Sequence, residues 1–511
     1  MNAPIREDNP GQARAAATMP LSLQQRSAYV GSVLGTGGRV VRLDSLADSL
    51  LRSMESAAAT VSESLFEPVI RLGVTGLARS GKTVFITGLV ANLLDRGRMP
   101  QLRAAAEGAI RAAWLHPQPD LTLPRFDFET HMAALTGPEP HWPESTRSVS
   151  ELRLSFRVQP GGLLGSMSGP RRVHLDIVDY PGEWLLDLAL LDSDFATWAA
   201  ESLKRMAGRP GADAFLAKAA AVDAAGPHDE TLARELADAF AAALQSARRA
   251  GFSDCTPGRF LLPGDLAGAP VVTFAPLHAP AAAVRRGSLW REMERRYEGY
   301  KREVVRPFFR EHFTRIDRQV VLVDALGAIH SGPAAVADMR RVLAEVLAAF
   351  RPGRNAWLMR LLAGRRVERI LFAATKADRL HHSQHGRLTA IMEAMLREAR
   401  DRAAFAGAAT EAMALSAWRT TIEETRDHNG RRLECVRGVR LKTRREAAFW
   451  AGDLPENPME LLSAAGSGEW LAGDYGAMEF APPGFSPRPG EGPPHIRLDR
   501  AAEFLFGDRL R

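Results

Sequence analysis

Two hydrophobic periods alternate along this chain, and the points where one gives way to the other carry most of its information. Val69-Ile70-Arg71-Leu72-Gly73-Val74-Thr75 has the pattern of a short strand. From Val84 onward, Phe85, Ile86, Leu89, Val90, Leu93 and Leu94 recur at helical spacing. Ser150–Arg157 reads as another strand, and Val173–Asp179 places apolar residues at every second position. Gln319–Asp324 and the wholly apolar Ile370–Ala374 read as strands buried on both faces. Between these groups the period is helical. Thr231–Arg249 carries apolar residues at 232, 236, 240 and 244, and a second helix runs from Leu289 to about Val305, ending before Pro307. Ala269–Phe274 interrupts them as an expected strand. The alternation predicts an α/β fold with a mostly parallel sheet flanked by helices and a large, mainly helical insertion.

The expected division follows from this pattern. Residues 1–40 lack apolar periodicity and predict a mobile tail with no signal peptide. Residues 41–184 hold the first part of the α/β domain, including an amphipathic pattern at 43–65 whose few basic residues favour packing over a membrane surface. Residues 185–318 are the helical insertion, 319–420 the second part of the domain, and 421–511 a Pro/Gly-rich extension with a short closing helix at 497–506.

Three motifs sit at the ends of the predicted strands. Gly76-Leu77-Ala78-Arg79-Ser80-Gly81-Lys82-Thr83 is a complete G-x-x-x-x-G-K-[ST] phosphate loop between a strand and a helix. Gly76 and Gly81 let the backbone wrap phosphates, with the amides of Ala78, Arg79, Ser80, Gly81, Lys82, Thr83 and Val84 turned inward. Lys82 would reach the β- and γ-phosphates and Thr83 would ligate Mg²⁺. Only six of the 66 basic residues are lysines, and two of those six, Lys82 and Lys376, fall in these motifs. The second motif, Asp179-Tyr180-Pro181-Gly182-Glu183, closes a strand. Asp179 is expected to hold Mg²⁺, and Gly182 to offer its amide to the γ-phosphate as the start of a switch. Glu183 either orients the attacking water or caps the helix that follows it. The third motif is Thr375-Lys376-Ala377-Asp378. A carboxylate accepts from the two donors of guanine, N1–H and the exocyclic amine, whereas adenine lacks that pair. Asp378 therefore selects guanine, with Lys376 along the base and Ser416-Ala417 behind its carbonyl. Thr146 is the candidate first-switch ligand to Mg²⁺, with Ser145 and Ser148 as alternatives. Thr83 and Asp179 are 96 residues apart, and Gly182 and Thr375 are 193 apart, so the spacing leaves room for insertions.

In this order the motifs resemble those of TRAFAC-type P-loop GTPases, with a G-domain-like fold. More narrowly, the chain resembles the bacterial YcjX family through 76–90, 179–188, 257–277, 374–382 and 494–508. The resemblance implies a cytoplasmic nucleotide-binding, GTP-hydrolysing protein of stress-response context. The family's gene often neighbours one for an integral membrane protein, which points to a membrane-protein partner and a peripheral location at the inner membrane. Arg79 occupies the loop position that carries an arginine finger in guanylate-binding and atlastin-type GTPases, which implies a nucleotide-dependent homodimer. Catalysis would then rest on Lys82, Arg79 and Glu183. An ATPase with a structural Asp378, or a nucleotide-sensing module with little hydrolysis, are the alternatives.

Composition adds bounds. Hydrophobic residues make up 46% of the chain, enough for a sizeable core, with no apolar run of spanning length. Two isolated cysteines suggest a reducing compartment. A net charge of +6 over 511 residues, with scattered arginines, gives no footprint for nucleic acid. His381 and His385 have the i, i+4 spacing of helix ligands, but lacking further ligands they read as polar helix-entry residues.

Overall fold

A computed structural model describes residues 67–511 except 78, 145–147, 162–168, 282, 312, 350–366, 405–407, 465–469, 471–478 and 486–487. The tail at 1–40, the pattern at 43–65, Ala78 and Thr146 therefore lie outside the described residues. The first strand, β1 (Val69–Gly76), runs into the phosphate loop, and α1 (Lys82–Leu94) leaves it. β2 (Ile110–His116), α2 (Phe128–Thr136), β3 (Ser150–Val158) and β4 (Arg171–Asp179) follow. β5 (Arg318–Val323), β6 (Arg369–Ala374) and β7 (Ala409–Ala414) complete a seven-stranded sheet in the order β2-β3-β4-β1-β5-β6-β7. β4, β1, β5, β6 and β7 are parallel neighbours, and β3 runs against both β2 and β4. This is the mostly parallel α/β P-loop fold that the strand pattern predicts.

Both faces of the sheet are buried, and the strands divide their side chains between two cores with period two. Val320 and Leu322 of β5, with Leu371 and Ala373 of β6, join Phe85, Ile86 and Leu89 of α1 in one core. Val321, Val323, Ile370 and Phe372 point into the other. The closing helix α11 (Leu498–Phe506) belongs to the α1 side, burying Leu498, Ala501, Ala502, Leu505 and Phe506. Beyond it Asp508 pairs with the fully buried Arg318 at 3.0 Å, so the chain's last turn neutralises a cation at the start of β5.

The opposite core is built by the segment between β4 and β5, which is helical wherever regular structure occurs among its described residues. It comprises α3 (Gly182–Leu186), α4 (Phe195–Met206), α5 (Asp213–Ala221), α6 (Glu230–Arg249) and α7 (Leu289–Tyr300) with shorter turns. Apolar residues at three- and four-residue spacing put Ala233, Leu236, Ala237, Phe240, Ala243 and Leu244 of α6 inside. There they meet an aromatic cluster in which Trp198 stacks on Tyr297 at 4.9 Å and Phe274 packs edge-on to Trp198 at 5.5 Å. The strand expected at 269–274 is a 3₁₀ turn at Pro270–Val272 instead. Proline has no amide to give to a ladder, and the Thr273 hydroxyl closes the turn on the Ala269 carbonyl.

On the far side of β5, α8 (Ala325–Ser331), α9 (Pro333–Ala349) and α10 (His385–Ala404) cover the sheet. The region after β7 holds a feature absent from the expectation, a three-stranded antiparallel sheet of β8 (Ile422–His428), β9 (Arg431–Val439) and β10 (Glu446–Phe449). Among the described residues no helix is long and apolar enough to cross a membrane.

Candidate functional site

The three motifs meet at the carboxyl ends of β1, β4 and β6, where parallel sheets leave room for a ligand. The phosphate loop turns through left-handed backbone at Arg79 (φ 62°) and Gly81 (φ 78°). Gly81 reaches this without strain, while Arg79 holds a conformation uncommon for a residue with a side chain. Thr83 is buried in the first turn of α1. Lys82 Nζ lies 2.7 Å from the Asp179 carboxylate, itself fully buried at the end of β4. The first two motifs are thus joined by an ion pair inside the site.

The second motif presses directly on the first. A Cβ built on Gly182 would come within 2.3 Å of the Gly76 carbonyl oxygen, so only glycine fits there. Gly182 starts α3, whose Glu183 is 4% exposed. Its carboxylate pairs at 2.9 Å with Arg248, from the last turn of α6. A cavity of about 100 Å³ is lined by Gly81, Lys82, Thr83, Pro181, Glu183 and Arg248, so the helical segment closes one wall of the cavity beside the phosphate loop.

The third motif lines a second cavity of about 380 Å³, which shares Arg79, Ser80, Gly81 and Val84 with the first. Thr375, Lys376, Asp378, Ser416 and Ala417 form its other side. Every nucleotide-site residue expected from the sequence and described in the structure, from Gly76 to Ala417, borders this pair of cavities or, as with Asp179 and Gly182, packs against them. Lys376 sits in left-handed backbone (φ 62°) and pairs with Asp324, which also caps α8 by accepting from the Gly327 amide at 3.0 Å. Burial, the largest single effect, pushes the Asp324 carboxyl upward, but Lys376, Arg379 and the Gly327 amide together outweigh it and the net shift is downward. Asp378 is buried, and its Oδ2 accepts from the Thr420 amide at 3.0 Å and from the Thr420 hydroxyl. Ser416 exchanges backbone hydrogen bonds of 3.0 and 2.7 Å with Ile496, which braces this side of the second cavity from the C-terminal segment. His385 does not converge with His381 as a ligand pair. It turns inward to the Ala377 carbonyl at 2.8 Å and supports the third motif, whereas His382 meets Glu423 at the surface at 2.6 Å.

Several contacts in the site are absent from the sequence expectations, and all tie α3, or Asp187 just after it, to the rest of the helical segment. Arg259 stacks over Trp184 at 3.5 Å. Asp187 accepts from the Gly258 amide at 2.9 Å and from the Tyr300 hydroxyl at 2.5 Å. Burial raises the Asp187 carboxyl to about 7, against the lowering effect of those two bonds. The unfolded carboxyl titrates near 3.9, so the folded state binds the proton more tightly. Stability from this group is complete below about pH 4 and is lost as pH rises towards 7, by roughly 4 kcal/mol. Asp187→Asn mimics the protonated carboxyl. Its urea midpoint is therefore expected to fall less than the wild-type midpoint between pH 5 and pH 8; parallel falls in both proteins would contradict this assignment.

The donor set also bears on the metal. Thr83 offers a hydroxyl and Asp179 a carboxylate, both hard oxygen ligands of the kind Mg²⁺ takes alongside nucleotide phosphates. The residues present fit that ion. In the structure the Asp179 carboxylate instead faces Lys82.

Comparison with known proteins places this geometry. Residues 70–510 match the model of the YcjX-like family, DUF463. A protein of Escherichia coli (strain K12) named Ras-like GTPase YcjX is 35% identical over 456 residues, covering 86% of this chain and 96% of that protein. A protein of the same name from Shewanella oneidensis is 34% identical over 466 residues, 86% of this chain and 94% of that one. With the three motifs assembled around one pair of cavities and the match running nearly to the C-terminus, the chain belongs to the YcjX-like family.

Proposed function

We propose that this protein is a Mg²⁺-dependent GTP-binding switch that hydrolyses GTP to GDP. The observation that carries the reading is the continuity of the two cavities. They run from Lys82 and Thr83 at a phosphate end to Asp378 and Ser416 at a base end, with the second motif against the phosphate end. The relatives named Ras-like GTPases support it. In this reading the loop amides from Ala78 to Val84 cradle the phosphates and Lys82 leaves Asp179 for the β- and γ-phosphates. Thr83 and Asp179 would hold Mg²⁺, joined by Thr146 from the first switch; the ion, when bound, neutralises charge on the phosphate oxygens. Asp378 reads guanine, and Thr375, Lys376, Ser416 and Ala417 wall the base. Water adds to the γ-phosphorus as the bond to the β-phosphate oxygen breaks, and its proton leaves with phosphate.

The same contacts suggest how a switch would be read out. α3 begins at Gly182, where a γ-phosphate would be sensed, and is gripped through Glu183, Trp184 and Asp187. A shift at Gly182 would therefore be transmitted to the helical segment at 185–318. A stress-response role, a cytoplasmic or peripheral inner-membrane location, a membrane-protein partner and a nucleotide-dependent homodimer rest on the family resemblance and belong to the same proposal.

Calorimetric titration with GTP, GDP and ATP in Mg²⁺, together with phosphate release, tests the reading. Tight guanine binding with turnover is the expected result. Equal ATP affinity would favour an ATPase, and binding without turnover would favour a sensing module.

A further inference from the structure

The phosphate end of the site contains two ion pairs of parallel construction. Lys82 is held by Asp179 at 2.7 Å, and Arg248 by Glu183 at 2.9 Å. Both acids are almost fully buried, both cations line the same small cavity, and each pair spans two separate elements. The first pair has a role in the proposed function. The second so far only ties α3 to α6, and Arg248 is the only cation that the helical segment contributes to the described wall of that cavity.

Resting on the GTPase reading, we infer that Arg248 is a catalytic arginine supplied from within the chain, exchanging Glu183 for the γ-phosphate when GTP binds. A triphosphate brings concentrated negative charge into a cavity already edged by this guanidinium. Phosphoryl transfer then spreads charge over the equatorial γ-oxygens, which a planar fork of N–H donors matches better than an ammonium does. Electrostatics favour the exchange because a dianionic phosphoryl group competes with a single carboxylate for one guanidinium. The released Glu183 carboxylate is then free to accept a hydrogen bond from the attacking water. Bond formation and cleavage remain those of ordinary hydrolysis, with no additional reactant.

Arg79 differs in setting. It is an exposed residue at the loop tip, and its use as a finger calls for a second copy to complete the site. Arg248 comes from the last turn of α6, whose inner face is locked into the aromatic core, so its position is fixed by the fold. It also joins hydrolysis to signalling, since the residue that meets the γ-phosphate belongs to the segment that grips α3. Once phosphate leaves, Arg248 returns to Glu183 and restores the resting contact.

The test uses the full chain and compares wild type with Arg248→Ala, Arg248→Lys and Arg249→Ala. Arg249 is an exposed neighbour on α6 that contacts only Ser246 among its described partners. The expected result is a fall in kcat of about 10³-fold for Arg248→Ala, with GDP affinity within about threefold of wild type, a kcat-against-KM split that a merely structural arginine would not give. Capture of GDP with aluminium fluoride, a planar mimic of the transferring phosphoryl group, should be lost in the same variant. Arg248→Lys, which keeps a cation beside Glu183 and so guards against misfolding, should keep the wild-type melting temperature yet remain well below wild type in kcat. Arg249→Ala should match wild type, and any rise of specific activity with protein concentration should be lost in Arg248→Ala. Hydrolysis by Arg248→Ala within threefold of wild type would overturn the inference and leave the GTPase reading intact, as would specific activity that rises with concentration and survives the substitution. A wild-type protein that binds no GTP would overturn both.

Discussion

Replacing Lys82 with alanine is expected to lower GTP affinity by about a hundredfold and abolish turnover. A charge-assisted hydrogen bond to phosphate contributes about 1.5–3 kcal/mol, and 2.7 kcal/mol corresponds to about a hundredfold in affinity. The same substitution has a second effect that the ion pair makes visible. Asp179 is buried at the end of β4, and Lys82 is its partner at 2.7 Å. Removing the ammonium from a buried pair costs about 3–5 kcal/mol, so the nucleotide-free variant should also melt at a lower temperature. The two effects separate in a double-mutant cycle. Adding Asp179→Asn to Lys82→Ala should restore much of the melting temperature, because the buried charge is gone, and restore none of the GTP binding. Unimpaired GTP binding by Lys82→Ala would remove the phosphate role of Lys82.

The legibility of this site followed a physical division. Phosphate contacts are made largely by backbone amides, so the chain must have glycine, lysine and threonine at fixed short spacing, and Gly76–Thr83 reads directly. The same holds for Asp179 and Asp378, each placed by a strand whose period is visible in sequence. Arg248 was illegible for the opposite reason. Its partner Glu183 lies on another element, and an arginine at the edge of the apolar face of a helix looks like any solvated residue in an arginine-rich chain. Arg259 on Trp184, and Asp187 between Gly258 and Tyr300, were hidden in the same way. Thr146, expected from the order of the motifs, lies outside the described residues. The sheet β8-β9-β10 carried no pattern because Ile422–His428 is largely exposed and polar; cross-strand pairs such as Glu424–Arg437 at 3.0 Å accompany its pairing, and hydrophobic alternation does not announce it. Asp324, which the sequence shows only as the end of a strand, is both a helix cap and the counter-ion of Lys376.

Asp378→Asn should discriminate between the bases more sharply than any other single change. In the structure one carboxylate oxygen, Oδ2, is engaged by the Thr420 amide and hydroxyl. An asparagine has one acceptor, and Thr420's two donors would hold it in place, so the side-chain amide nitrogen would face the base. Guanine presents N1–H and the exocyclic amine, and donor would then oppose donor. Two charge-assisted bonds are lost at about 1.5–3 kcal/mol each, so GTP affinity should fall by at least about a hundredfold while ATP affinity stays where it was. Xanthine carries a carbonyl where guanine has its amine, and an amide N–H can donate to it. Xanthosine triphosphate should therefore bind the variant better than GTP does. That recovery separates a misread base from a damaged fold, because a collapsed site would accept neither nucleotide. If the substitution instead leaves GTP and ATP binding equal in wild type and variant alike, Asp378 serves only to hold Thr420, and the base end of the cavity has no preference for guanine.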